Sequence, residues 1–230
     1  MDFASQRRST LTGIFTVLTL TGCASIPEAP DPPVEQGAII GIRITHNMPL
    51  DFFNEAAPHS VFFVRLENGN LLSDEILRSN YRREDRFYLL NASPGTYVAI
   101  ASAKTGPPAM RYGSPTRLTT YFQRDLVERT RIEVGPNAAA FMGNFEVKIA
   151  QGWSEGDEVQ THYRNIVAPG APAGGFLASM LQNLSGDVAF WGHIAKEDRS
   201  NQAISDFIAK AGEDLANSGW AARLRQPTER

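Results

Sequence analysis

Apolar positions are spaced in three ways along this chain, and each spacing predicts a different element. Near the start, Leu11, Ile14, Phe15, Val17, Leu18 and Leu20 crowd together with only Gly and Thr between them. From Gly37 to about residue 150 the apolar residues form short β-branched and aromatic runs broken by turn chemistry, which predicts an all-β domain. Beyond residue 200 the step lengthens to three and four, through Ala203, Ile204, Phe207, Ile208, Ala211 and Leu215. That period predicts an amphipathic helix over 200–217, with Ser200 able to cap its start and Gly219 placed to stop it.

The β runs begin with Ala38 to Ile44 and Val61 to Leu66, and Asn68-Gly69 after the second run is a two-residue hairpin turn. Phe87 to Leu90 and Thr96 to Ala101 flank Pro94-Gly95, which predicts a second hairpin. Thr119 to Phe122, Thr130 to Val134 and Ala140 to Ile149 continue the series, with Gly135-Pro136-Asn137 turning between the last two. Phe145, Val147 and Ile149 alternate with Glu146 and Lys148, so one face of that strand is expected to be buried and the other wet. Gly170 to Gly175 predicts a loop, without the Lys-Ser/Thr of a phosphate-binding loop, and Phe176 to Leu184 a short helix.

Within this series, Leu90-Asn91-Ala92-Ser93-Pro94-Gly95-Thr96-Tyr97 resembles the Pro-Gly-x-Tyr hairpin of prealbumin-like and carboxypeptidase-regulatory-like domains. Val134-Gly135-Pro136 followed by Phe141-Met142-Gly143 is similar to a later strand pair in small envelope lipoproteins of that type. The resemblance implies a mainly β fold, an antiparallel β-sandwich carrying a C-terminal amphipathic helix, of a kind that binds, spaces or stabilises.

The early apolar run has a separate meaning. Arg7 and Arg8 supply a positive leader, and ten residues of helix from Leu11 rise only about 15 Å, half the thickness of a hydrocarbon core. Leu20-Thr21-Gly22-Cys23 follows at once and resembles the bacterial lipobox. That resemblance implies cleavage between Gly22 and Cys23, a diacylglycerol and a palmitate-type acyl chain on Cys23, and membrane anchoring of a lipoprotein. Ala24, where an Asp would retain the protein in the inner membrane, resembles outer-membrane sorting, with the domain in the periplasm or at the surface of the bacterial cell envelope. The Arg7-Arg8 pair also resembles a twin-arginine signal, but Thr10 stands where that motif prefers Phe, which favours the ordinary secretory route. Pro27, Pro30, Pro32 and Pro33 with Glu28, Asp31 and Glu35 predict a solvated polyproline tether, up to about 40 Å long. The expected organisation is therefore a signal peptide over 1–22, a lipidated tether over 23–36, a β-sandwich over 37–168, and a Gly/Pro loop with helical segment over 169–230.

Composition removes several function classes. With 230 residues, 42% of them hydrophobic, the chain can bury a core, and a net charge of −3 argues against a nucleic-acid partner. One cysteine allows no intrachain disulfide and, with four histidines, too few ligands for a Cys/His zinc site. No nucleophile elbow, zincin helix, EF-hand loop or Rossmann glycine pattern occurs.

His46, His59, His162 and His193 could meet Asp51 or Asp157 around a metal, but no two share ligand spacing, so surface or hydrogen-bonded histidines are expected. Glu155, Asp157 and Glu158 around Gly156 could hold calcium, although such charge more often keeps a strand edge solvated. Arg78, Arg82, Arg83 and Arg86 around Tyr81 form the basic cluster, with Glu84 and Asp85 placed for local ion pairs and docking to an anionic glycan or a lipopolysaccharide phosphate as the alternative. Trp153, Trp191 and Trp220 could stack on sugars, but core edges are the commoner place for Trp. The sequence thus predicts no catalytic residue, cofactor or metal. It predicts ligand or partner contacts at Arg82, Arg83, Arg86 and Trp153, and a non-catalytic module for an envelope protein or glycan. The alternative is an envelope hydrolase assembled from distant residues such as His162, His193 and Asp187.

Overall fold

In the computed structural model, the residues described are 28–32, 37–47, 57–67, 70–71, 76–108, 115–150 and 188–224. The strands are β1 (Ala38–Asn47), β2 (Ser60–Glu67), β3 (Asn70–Leu71), β4 (Leu77–Arg78), β5 (Tyr81–Arg83), β6 (Arg86–Ala92), β7 (Gly95–Pro108), β8 (Pro115–Phe122), β9 (Ile132–Val134), β10 (Ala139–Ile149) and β11 (Val188–Asp198). The helices are α1 (Arg124–Arg129), α2 (Asn201–Asp214) and α3 (Ala221–Leu224). All strands join one sheet in the order β3-β2-β7-β8-β11-β10-β1-β6-β5, with β4 on β2 and β9 on β7.

The fold is mainly β with a C-terminal amphipathic helix, but the sheet is mixed and curled into a half-barrel instead of forming an antiparallel sandwich. β1 runs parallel to β10, and β8 parallel to β11. Parallel neighbours need long crossovers, and the chain has them in the ninety-odd residues from β1 to β10 and the long stretch from β8 to β11. Residues 77–83 leave the edge of β2, where Ser79 N–H donates to the Val61 carbonyl, and reach the edge of β6, where Asn80 N–H donates to the Tyr88 carbonyl. One segment therefore bridges the two ends of the sheet.

β1 shows why the curl is stable. Ala38, Ile40, Ile42 and Ile44 face an inner core with Phe63, Val98, Met142, Phe145 and Val147, whereas Ile39 faces an outer core under α2. A strand buried on both faces reads as a continuous apolar run, as Ala38-Ile39-Ile40-Gly41-Ile42 does. β10 follows the expected alternation over Phe145, Val147 and Ile149, all buried, with Lys148 exposed. Its register against β1 slips once between Gly41 and Arg43, opposite Met142 and Gly143, where Gly143 takes φ +136°.

β2 and β3 pair across Asn68-Gly69 as that turn predicts. The second expected hairpin does not form: β6 pairs with β1 and β5, and β7 with β2, β8 and β9. Asn91 at φ 68° and Gly95 at φ 150° turn the chain into a corner, and the Tyr97 hydroxyl pins it by donating to the Ser93 carbonyl at 2.8 Å. β11 is a strand the residue pattern did not predict, and it lies between β8 and β10. Its Gly192 is required by close packing, because a Cβ there would stand 2.7 Å from Val147 and 2.8 Å from Thr120. The Gly170–Gly175 loop and the Phe176–Leu184 helix lie outside the described residues.

Candidate functional site

The candidate surface is built by the way α2 sits on the outer face of β1, β6 and β10. Its Ser200 accepts from Ala203 N–H at 3.2 Å, as expected of the cap, and Ala203, Phe207 and Ala211 form its buried stripe. Phe207 stacks on Phe141 at 4.1 Å and tilts against Tyr88 at 5.5 Å. It also occupies the space above Gly41, where a Cβ would come within 2.3 Å of the ring. Gly41 is thus the notch in β1 that receives the helix.

The far end of α2 is held by charge. Asp214, at the helix C-terminus, is 5% exposed, and a carboxylate there opposes the helix dipole unless a cation answers it. Arg86 answers as a fork, with Nε to Oδ2 at 2.7 Å and Nη2 to Oδ1 at 3.0 Å. The Tyr88 hydroxyl donates to Oδ2 at 2.6 Å, and the Tyr81 hydroxyl to the Asp214 carbonyl at 2.8 Å. Burial first, and then the Asp214 hydrogen bond, push the Tyr88 phenol far above its usual range.

The segment expected to be a free tether is partly docked. Trp220, fully buried, donates from Nε1 to the Pro30 carbonyl at 2.7 Å, and Ala29 joins the same core. Pro32 packs so closely on Gly219 that a Cβ there would meet it at 2.6 Å. The Arg223 guanidinium lies over the Trp220 ring and donates to the Gly37 carbonyl. A polyproline stretch exposes its carbonyls, and an indole N–H beside Arg223 gives this one a partner.

Between α2 and the strands β9 and β10 an open groove of about 580 Å³ remains. Ile39, Ile132, Phe141, Ile204, Ile208 and Leu224 line it, and Glu133, Asn201 and Ser205 contribute to its polar edge. Ile208 is the one large apolar side chain classed as exposed among the described residues.

Of the arginines singled out in the sequence, Arg83 and Arg86 stand at the clamp, while Arg78 lies on β4 beside β2. Arg86 is 12% exposed and committed to Asp214 and Glu84. Arg83 stands 3.8 Å from Asp214 and is 33% exposed, while Arg82 donates to the Glu84 carbonyl and lies over the Phe87 ring. Asp85 pairs with Arg43 at 2.6 Å, so local ion pairs account for much of the basic cluster. Trp220 is a core residue and Trp191 packs by Tyr121 at 6.1 Å.

His193 is exposed on β11, and the His59 Nδ1 accepts from Thr105 N–H at 3.1 Å. His46 is buried inside the barrel, its Nε2 sharing a 2.9 Å hydrogen bond with Ser102 Oγ across the interior. Burial, reinforced by the nearby Lys104 charge, holds the His46 pKa down to about 3. A base and a hydroxyl at this distance are the start of a nucleophilic pair, but here Ser102 is fully buried and the bond ties β1 to β7. No group of three or more His, Cys, Asp or Glu gathers among the described residues. Gly22, Cys23, Asp51, Trp153, Glu155, Asp157, Glu158, His162 and Asp187 lie outside them.

Asp214, Ser102 and Lys104 were missed from the sequence. An acid in the last turn of a helix otherwise free of charge complementarity was the signal for Asp214; the other two carry none, since only the curl brings β1 opposite β7. No family model matches this chain, and neither the curated proteins nor the solved structures give a match.

Proposed function

We propose that the chain is an envelope lipoprotein, anchored through lipid on Cys23 in the outer membrane, whose β body binds an apolar segment of an envelope protein without catalysis. The groove beside α2 carries this proposal. It is open and lined mainly by aliphatic and aromatic side chains, with few polar groups to fix orientation, which suits the side chains of a protein segment better than a hydroxyl-rich glycan.

The docked residues 28–32 support a body held close to its membrane. Five residue steps separate Cys23 from Glu28, at most about 18 Å of extended chain, in place of the longer solvated tether. No helix among the described residues is long and apolar enough to cross a membrane, so attachment in this scheme falls to the lipid.

Two experiments test the two halves separately. Metabolic labelling with a palmitate analogue should mark the parent chain and not Cys23→Ser; equal labelling, or none in either, overturns the anchor. A photo-crosslinking residue at Ser205, in the groove, should give one discrete protein adduct in cells that Ile208→Glu abolishes. Absence of an adduct in normally labelled protein overturns the binding role.

A further inference from the structure

The proline-rich residues 28–32 lie on the body with the period of a polyproline helix. Ala29 is buried beside Trp220, and Pro32, three residues on, packs against Gly219; a three-residue step places both on one face. Among the described residues the segment makes two hydrogen bonds, and it accepts in both. Trp220 Nε1 donates to the Pro30 carbonyl at 2.7 Å, and Asn91 Nδ2 to the Asp31 carbonyl at 3.4 Å. A ligand in which proline removes backbone N–H groups suits a surface that offers donors.

The body is shaped for this chain chemistry. Gly219 leaves room for a pyrrolidine ring, since a Cβ there would stand 2.6 Å from Pro32 Cγ and 2.8 Å from its Cδ. The Arg223 guanidinium lies 5.0 Å from the Trp220 ring centre and donates to the Gly37 carbonyl, which holds the indole while its N–H faces Pro30. Asn91 stands at φ 68°, a left-handed turn from which its amide meets the segment. The seat is shallow: Ala29 is buried, Pro30 and Pro32 are half-buried, and Glu28 and Asp31 are exposed. Stiff polyproline segments lose little conformational freedom on docking, so they bind and exchange on shallow aromatic surfaces of this kind.

We propose that Trp220, Gly219 and Asn91 form a recognition site for proline-rich segments of the pattern Ala-Pro-x-Pro, occupied at rest by the chain's own tether and open to a like segment of a second envelope protein. The seated segment defines the ligand: a small side chain at the buried position, prolines one and three residues after it, and carbonyls turned to the indole and the amide. That the partner is an envelope protein rests on the anchor proposed above. Under that anchor, exchange lengthens the link from Cys23 to the body from five residue steps, ending at Glu28, to fourteen, ending at Gly37. Partner binding here therefore lets the body stand farther from its membrane. None of the three residues lines the groove beside α2, so the two sites stand or fall separately.

A fluorescent peptide copying residues 26–34, Ile-Pro-Glu-Ala-Pro-Asp-Pro-Pro-Val, tests the site by anisotropy with the full chain in non-ionic detergent. Ala29→Glu puts a charge where the chain's own tether is buried and vacates the seat. The peptide should bind that variant about tenfold or more tightly than it binds the parent, whose tether competes at roughly millimolar effective concentration. In the Ala29→Glu chain, Asn91→Gly, which keeps the left-handed turn, and Trp220→Phe, which removes the indole donor, should each weaken binding about fivefold. A peptide carrying Glu in place of its alanine should bind neither chain. Equal affinity for parent and Ala29→Glu, no binding to either, undiminished binding of the Glu-bearing peptide, or binding unchanged by both Asn91→Gly and Trp220→Phe overturns the site. The assay involves no lipid, so its failure leaves acylation of Cys23 to stand on the labelling result.

Discussion

Acid should unfold this protein through one histidine. His46 is 8% exposed, and its pKa is held down to about 3 from 6.5, first by burial and then by Lys104. The folded state thus disfavours the protonated ring, so the stability that neutral His46 confers is fully present above the unfolded pKa. It is lost as pH falls from about 6.5 through about 3.

Each pH unit inside that window costs about 1.4 kcal/mol, and the linkage relation gives a loss of about 2.5 kcal/mol between pH 7 and pH 4.5. The total reaches about 5 kcal/mol once pH falls below the folded pKa, comparable with the whole stability of a marginal domain. Urea unfolding followed by Trp fluorescence, for the parent and His46→Gln at both pH values, isolates the effect. Glu146, held low by Lys196 and Asn47, and Asp198, held low by the Ser200 backbone, also favour higher pH, but both proteins share them and the difference cancels. The parent should lose about 2.5 kcal/mol more than His46→Gln does. Parallel losses in the two proteins would refute burial of a neutral imidazole.

Two further perturbations probe the seat of α2. Gly41→Ala places a methyl 2.3 Å from the Phe207 ring and should cost about 1–3 kcal/mol in chemical denaturation, with part of the loss recovered in Gly41→Ala/Phe207→Leu; additivity of the two substitutions would deny the notch. Asp214→Asn strips Arg86 of its buried counter-ion and should cost about 3–5 kcal/mol, whereas Arg86→Met/Asp214→Leu should cost less than either single change, as a double-mutant cycle would register.

What the residue pattern disclosed follows from how local each signal is. The cap at Ser200, the stripe through Ala203, Phe207 and Ala211, the pairing of β2 with β3 and the alternation of Phe145, Val147 and Ile149 all depend on neighbours within a few residues, and each stands where it was expected. Strand partnership is not local. Pro94-Gly95 has hairpin chemistry, yet the preceding Asn91 takes φ 68° and the strands on either side turn to different partners. β11 escaped because Ala189, Trp191 and Ile194 are only partly buried and the run after them, Ala195-Lys196-Glu197-Asp198, has the polarity of a loop. Its strand character comes from β8 and β10 on either side, an instance of tertiary context overriding propensity.

The same logic separates the two ends of the molecule. At the tether end the parts are a proline-rich segment, a helix and a tryptophan, each visible alone; their docking was not, because Pro30 and Trp220 stand 190 residues apart. At the opposite end no residue is unusual in sequence. Lys104 sits in an ordinary strand run, Arg117 two positions from the predicted Thr119 strand, and His59 among residues without pattern. The pairings of Thr105 with Arg117 and of Phe62 with Arg78 bring residues distant in sequence onto neighbouring strands, while Lys104, one step from Thr105, lies on the opposite face of β7 with Ser102. Such neighbours are legible only when the sheet is known, and a one-residue slip of β4 or β8 would turn Arg78 or Arg117 to the other face.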